Sequence, residues 1–248
     1  MTVPATPATL PSVRTTRTTC PMDCPDTCAI EVDVVERGGR EEVAALRGVA
    51  EHPTTAGFLC AKVARFARRL DHAERLLQPM RRVGAKGEGR FEPTSWDEAI
   101  AEVAGRLREV AARWGGEAIL PFHYGGSNGL LADDSLDDLL FARLGASRLA
   151  KTICAAPATA AARAMTGRMP GVAHEDFVHA RAIVVWGANP KTTSIHLVPF
   201  LREAKRRGAF VATVDPERHF SDDEIDLHLP VRPGADLPLA LAIARRWA

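Results

Sequence analysis

Apolar and polar positions follow two regimes along the chain, short alternating runs near the start and longer helical and buried-strand runs after it. Residues 29–35 alternate in part, residues 43–49 are again apolar-rich, and Gly38-Gly39 lies between them, which predicts a small hairpin or sheet. Val63, Phe66 and Leu70 recur at spacings of three and four, predicting a short basic helix over 62–70. A glycine-rich stretch at 83–90 reads as a connector, and a first domain boundary is expected near residue 75. Ser95 and Glu98 then form a capping box, and Ile100, Val103, Leu107, Val110 and Trp114 follow at helical spacing.

The rest alternates between strand and helix. Residues 118–124 read as a strand, 135–144 and 157–165 as helices, and 180–187 as a buried strand. A helix over 195–207 ends at Gly208, strands are expected at 209–214 and 227–231, and a final helix follows Asp236. This order predicts an α/β fold, an open Rossmann-like sheet with parallel strands behind a small β-containing N-terminal domain. Ligands of such sheets bind beyond the carboxyl ends of the strands. The segments there are 125–129, Gly187 to Asn189, Asp215, and Arg232 to Asp236.

Composition narrows the class without naming a chemistry. The chain has 248 residues, 46% hydrophobic and 25% charged, as expected of a folded, soluble domain. A net charge of +1 and the absence of a basic run argue against nucleic acid as a partner. No stretch is apolar for long enough to span a membrane. The proline- and threonine-rich start carries no apolar leader core and no twin-arginine pair, so residues 1–17 are expected to form a disordered tail and the address to be cytoplasmic.

The cysteines change the picture. Cys20, Cys24 and Cys28 form C-x3-C-x3-C, and Cys60 returns after 31 further residues. Four thiols in this pattern read as ligands of an iron–sulfur cluster. Zinc sites more often pair two close knuckles; a zinc ion and four buried structural thiols are the competing readings. The fifth cysteine, Cys154, stands alone before Ala-Ala-Pro, where a small core residue is the ordinary reading.

Several ordered segments carry a resemblance. Thr19-Cys20-Pro21-Met22-Asp23-Cys24-Pro25-Asp26-Thr27-Cys28 with Gly57-Phe58-Leu59-Cys60-Ala61-Lys62 resembles the 4Fe–4S segment of molybdopterin guanine dinucleotide oxidoreductases. These include formate dehydrogenases, nitrate reductases and thiosulfate/polysulfide reductases. The likeness continues through residues 87–100, Trp186-Gly187-Ala188-Asn189-Pro190, Val214-Asp215-Pro216 and Arg232-Pro233-Gly234-Ala235-Asp236.

What the resemblance implies is specific. Cys20, Cys24, Cys28 and Cys60 would hold a 4Fe–4S cluster, with residues 18–75 as the cluster domain. Lys62 matches the lysine lying between cluster and pterin. Cys154 falls where a cysteine ligates molybdenum or tungsten, with Ser127 a weaker alternative. Residues 76–248 would be an incomplete dinucleotide-binding domain for bis-molybdopterin guanine dinucleotide (bis-MGD). There Gly187, Asn189 and Gly234 would let backbone and amide approach the cofactor. Asp215 and Asp236 would bond ribose or guanine, with Thr193, Arg218 and His219 as weaker additions. His174 and His179 read as surface residues.

The implied activity is two-electron oxidation or reduction of a small molecule, with electrons passed through the cluster to a redox partner or to a missing C-terminal portion. Ala155 and Ala156 after Cys154 depart from the formate dehydrogenase pattern, which weighs against formate. The family's catalytic subunits are longer, so the chain reads as an N-terminal portion. Two rival readings are a non-catalytic iron–sulfur electron-transfer or scaffold subunit and a zinc-stabilised nucleotide-binding module. The second lacks a G-x-G-x-x-G fingerprint.

Overall fold

The structure, a computed structural model, describes residues 12–123, 136–153, 155–169 and 171–247. In chain order the elements begin with β1 (Val13–Thr19), β2 (Ala29–Arg37), β3 (Arg40–Gly48), α1 (Ala67–Leu70), β4 (Met80–Arg82) and β5 (Phe91–Pro93). Next come α2 (Trp96–Trp114), α3 (Leu136–Arg143), α4 (Ala155–Thr166), β6 (Ala182–Trp186) and α5 (Pro190–Thr193). The chain closes with α6 (Leu197–Arg206), β7 (Phe210–Val214), β8 (Leu227–Leu229) and α7 (Asp236–Trp247). The mixed α/β architecture is the one expected.

Two compact units form. One comprises the chain up to Cys20 with Cys24–Ala64 and Pro170–Ala248; the other comprises Pro21–Asp23 and Arg65–Met169. These limits do not follow the sequence boundary near residue 75. The cysteine segment shares its unit with the parallel strands.

In the first unit β1, β2 and β3 make an antiparallel sheet in that order, and β6, β7 and β8 make a parallel one. β1 corrects an expectation: residues 13–17 of the expected disordered tail are part of an ordered strand. Val13 and four threonines are β-branched and favour extended backbone. Arg17 pairs with Glu31 on the adjacent β2, and Arg14 reaches Glu41 on β3.

β7 lies between its partners, and Val211 to Val214 are all buried. β6 buries Ile183 and Val185 and exposes Val184, so it is covered on one face. That face meets Leu201 and Ala204 of α6, with Phe220 and Ile225 completing the core. The end of α6 is closed at Gly208, where the amides of Gly208 and Ala209 donate to the carbonyls of Lys205 and Ala204.

In the second unit the glycine-rich connector is the turn of the β4–β5 hairpin. α2 starts at its capping box, with the Glu98 amide on Ser95 Oγ and the Glu98 carboxylate on the Ser95 amide. The strand expected over 118–124 is not one in its described part, 118–123. The Ser147 amide donates to the Ile119 carbonyl, but Pro121 has no amide to extend a ladder. No helix among the described residues is long and apolar enough to cross a membrane.

Candidate metal centre

The cysteine loop runs from the end of β1 to the start of β2, and the Cys20 amide closes it by donating to the Cys28 carbonyl at 2.8 Å. Cys28 is buried, while Cys20, Cys24 and Cys60 are half-buried. Cys60 is brought back by the turn after β3. The Ala29 amide donates to Thr55 Oγ1 at 2.9 Å, and Thr55 is fully buried. Gly48 lets this arm lie close, because a Cβ there would stand 2.7 Å from the Phe58 carbonyl oxygen and 2.8 Å from its nitrogen.

All four thiols are free. Burial pushes Cys28 up to about 12, with the charges of Asp26, Cys20, Cys24 and Cys60 adding to the rise. Burial also raises Cys24; a backbone hydrogen bond from Asp26 opposes it, and the charges of Asp26, Cys20 and Cys60 reinforce it. Such a cage is poorly disposed to hold thiolates by itself and suits a cationic centre that replaces their protons.

Among the described residues, Asp26, Cys28 and His196 bring donor atoms within 4.8 Å of one another.

The loop is seated on the segment between α5 and α6. Cys24 Sγ lies 3.7 Å from the Thr193 carbonyl oxygen, and Lys62 Nζ donates to the Thr192 carbonyl at 3.3 Å. His196 is the centre of the seat. Its Nδ1 is 2.9 Å from Asp26 Oδ2 and its Nε2 is 2.9 Å from the Phe58 carbonyl oxygen. Nδ1 also stands 3.6 Å from Cys28 Sγ. Both ring nitrogens are engaged, so Asp26, Cys28 and His196 form a hydrogen-bonded group rather than a second metal site. His174, expected at the surface, has a side chain only 12% exposed, with Nε2 3.3 Å from Asp26 Oδ1.

The nucleotide candidates lie at the carboxyl end of the parallel sheet. Gly187 directly follows β6 with a φ of 58°, a left-handed conformation in which glycine carries no Cβ penalty. Asn189 Nδ2 contacts His219 Nδ1 at 3.1 Å, and His219 Nε2 is 3.4 Å from Asp215 Oδ1. Asn189 Oδ1 is buried without a hydrogen-bond partner, an acceptor awaiting a donor. Asp236 opens α7, and its Oδ1 accepts from Trp186 Nε1 at 2.7 Å. Gly234 lies in the turn before it.

The structure thus joins Asn189, His219 and Asp215, and links Asp236 to the end of β6. Thr193 Oγ1 donates to the Asn189 carbonyl, and Arg218 turns to its own loop, bonding the Phe220 carbonyl and Asp222. Cys154 and Ser127 lie outside the described residues. Sequence reading missed Asp26, His196 and Trp186. Trp186 sat inside a quoted motif, but Asp26 and His196 carry no spacing signal because they meet across 170 positions.

Comparison with known proteins gives the setting. A family profile described as molybdopterin oxidoreductase matches residues 75–247, and one described as molybdopterin oxidoreductase Fe4S4 domain matches residues 13–72. The probable oxidoreductase YoaE of Bacillus subtilis (strain 168) is 33% identical over 227 residues, covering 92% of this chain and 33% of that protein. The assimilatory nitrate reductase catalytic subunit of the same organism is 26% identical over 240 residues, covering 94% of this chain and 32% of its own length. The solved structure of acetylene hydratase from Pelobacter acetylenicus superposes with a TM-score of 0.66 at 26% identity, covering 87% of this chain and 29% of that one. The chain spans about a third of the length of the curated relatives it matches.

Proposed function

Because the chain belongs to the molybdopterin oxidoreductase family, we propose that it is the cluster-bearing portion of an enzyme that exchanges two electrons with a small-molecule substrate. Cys20, Cys24, Cys28 and Cys60 hold a 4Fe–4S cluster in this reading. The observation that carries it is the set of four free thiols, one buried and three half-buried, that a closed loop and the returning Cys60 arm hold within the unit of the parallel sheet. When bound, a molybdenum or tungsten bis-MGD centre supplies the two-electron chemistry and the cluster supplies single-electron transfer.

The chain's own residues have defined tasks. Lys62, held by the Thr192 carbonyl, keeps an ammonium charge beside the loop, where it stabilises added electron density. Asn189 Oδ1 offers a buried acceptor to a cofactor donor, with Asp215 and His219 behind it. Asp236, oriented by Trp186, presents a carboxylate suited to the N1–H and amino group of guanine. Gly187 and Gly234 leave room for the backbone to approach a diphosphate. Cys154 is the protein ligand to the metal. Electrons leave to a redox partner or to a further portion of the enzyme, in the cytoplasm.

Anaerobic purification followed by iron, sulfide, zinc, molybdenum and tungsten analysis tests the reading. Four irons and four sulfides with molybdenum or tungsten are expected, on the usual stoichiometry of such a cluster (about four of each). Iron and sulfide without molybdenum, tungsten or pterin would point instead to an electron-transfer or scaffold subunit, and zinc alone would refute the cluster. In the complete enzyme, Cys154→Ala is expected to abolish turnover while the iron is retained.

A further inference from the structure

We propose that Asp215, acting through His219, fixes the Asn189 side chain as a hydrogen-bond acceptor, so that it takes an N–H or O–H donor of the bound cofactor and not a diphosphate oxygen. The inference rests on the cofactor reading above and makes His219 a positioning residue that acts through Asn189.

The fold brings the three residues together. β6 and β7 run parallel with Trp186 opposite Val214, and the Gly187 amide donates to the Val214 carbonyl at 2.9 Å. The loops that leave the two strands therefore start side by side. Asn189 is anchored in the first, where its carbonyl accepts from the amides of Thr192 and Thr193, both at 3.1 Å. Asp215 is anchored in the second, where its Oδ1 accepts from the Glu217 amide at 2.9 Å. His219 spans the gap between them. Its Nε2 is 3.4 Å from Asp215 Oδ1, and its Nδ1 is 3.1 Å from Asn189 Nδ2. The side chains of His219 and Asp215 are only 19% and 16% exposed, so water competes little for these contacts.

Polarity passes along this row one group at a time. A carboxylate only accepts, so the ring nitrogen that faces it keeps the proton of a neutral imidazole. Nδ1 is then left as an acceptor. The Asn189 amide meets that acceptor with its NH2 end, which turns its carbonyl end the other way. That end, Oδ1, is buried and has no hydrogen-bond partner among the described residues. A buried acceptor left unmatched is costly, and a ligand that brings a donor removes the cost. A phosphate oxygen brings a second acceptor and is disfavoured at this position.

Two measurements on the full chain test the row. Long-range proton–nitrogen NMR at about pH 8, where an ordinary imidazole is neutral, reads which ring nitrogen of His219 carries the proton. The resonance is assigned by its absence from His219→Lys. A proton on Nε2 is expected, and one on Nδ1 overturns the proposal whatever the cofactor does. The second measurement is the rate at which anaerobically purified protein loses guanine nucleotide on dilution. His219→Lys offers Asn189 only donors, so the amide must turn over and present Nδ2 to the cofactor. Nucleotide should then be lost about tenfold faster, the worth of one mismatched hydrogen bond. Adding Asn189→Asp should restore retention, because a carboxylate accepts on both oxygens and the two added charges cancel. An unchanged rate in His219→Lys overturns the proposal. Faster loss that Asn189→Asp does not restore makes His219 a packing residue and overturns it too. Unsubstituted protein free of guanine nucleotide would instead refute the cofactor reading, and the position of the ring proton would still be read.

Discussion

Glu224 offers a quantitative test of the packing beneath the site. Its side chain is 8% exposed and gathers Lys191 Nζ at 2.5 Å and Arg202 Nη2 at 2.7 Å. Arg202 Nε, the Ser221 amide and Ser221 Oγ complete the set at 3.0, 3.0 and 2.9 Å. The carboxylate thereby straps the turn carrying Phe220 and Ile225 to α5 and α6. Burial pushes this carboxyl up, but the donors outweigh burial and bring it from 4.5 down to about 2. At ~1.36 kcal/mol per pH unit that depression corresponds to about 3 kcal/mol.

The cationic partners are more open, Lys191 at 33% and Arg202 at 59% exposure, and regain water when the charge is lost. The expected cost of Glu224→Gln at pH 7 is therefore nearer ~2 kcal/mol. Native-state hydrogen exchange on β7 amides reads this locally, as roughly 30-fold faster exchange in the variant. The sign follows from a depressed folded value. The contribution is complete above about 4.5 and is lost as pH falls toward about 2. By pH 3 the difference should shrink to roughly fourfold. Equal protection in the two proteins at pH 7, or a gap that does not narrow at pH 3, would refute the reasoning.

Two further outcomes follow from the same structure. Gly48→Ala places a Cβ against the backbone of Phe58, so the Cys60 arm must shift; about 1–3 kcal/mol of lost stability and reduced iron content are expected from melting curves and metal analysis. Ser95→Ala removes the cap of α2 and should cost about 1 kcal/mol, seen as faster exchange of the first-turn amides, with no change in iron content.

Local patterns made much of this fold legible. The C-x3-C-x3-C run, the Ser95 capping box and the apolar stretches of β6 and β7 each carry their signal within a few neighbours. β1 was lost because threonines and prolines near a terminus have the composition of a tail; its order comes from pairing with β2, which no window of its own reveals. The segment after Ala118 looked like a strand from its apolar residues, but Pro121 denies it a ladder. His196 was hidden inside a helix candidate, since its partners Asp26, Cys28 and Phe58 are all distant in sequence.

That distance also imposes an order in time. Asp26 and His196 stand 170 positions apart. At ~5–20 residues per second of synthesis, roughly 9–34 s separate their appearance on the ribosome. Throughout that interval the cysteine loop exists without Thr193 and His196 beneath it. The loop therefore gains its contacts with Thr193 and His196 only once the later segment has been made.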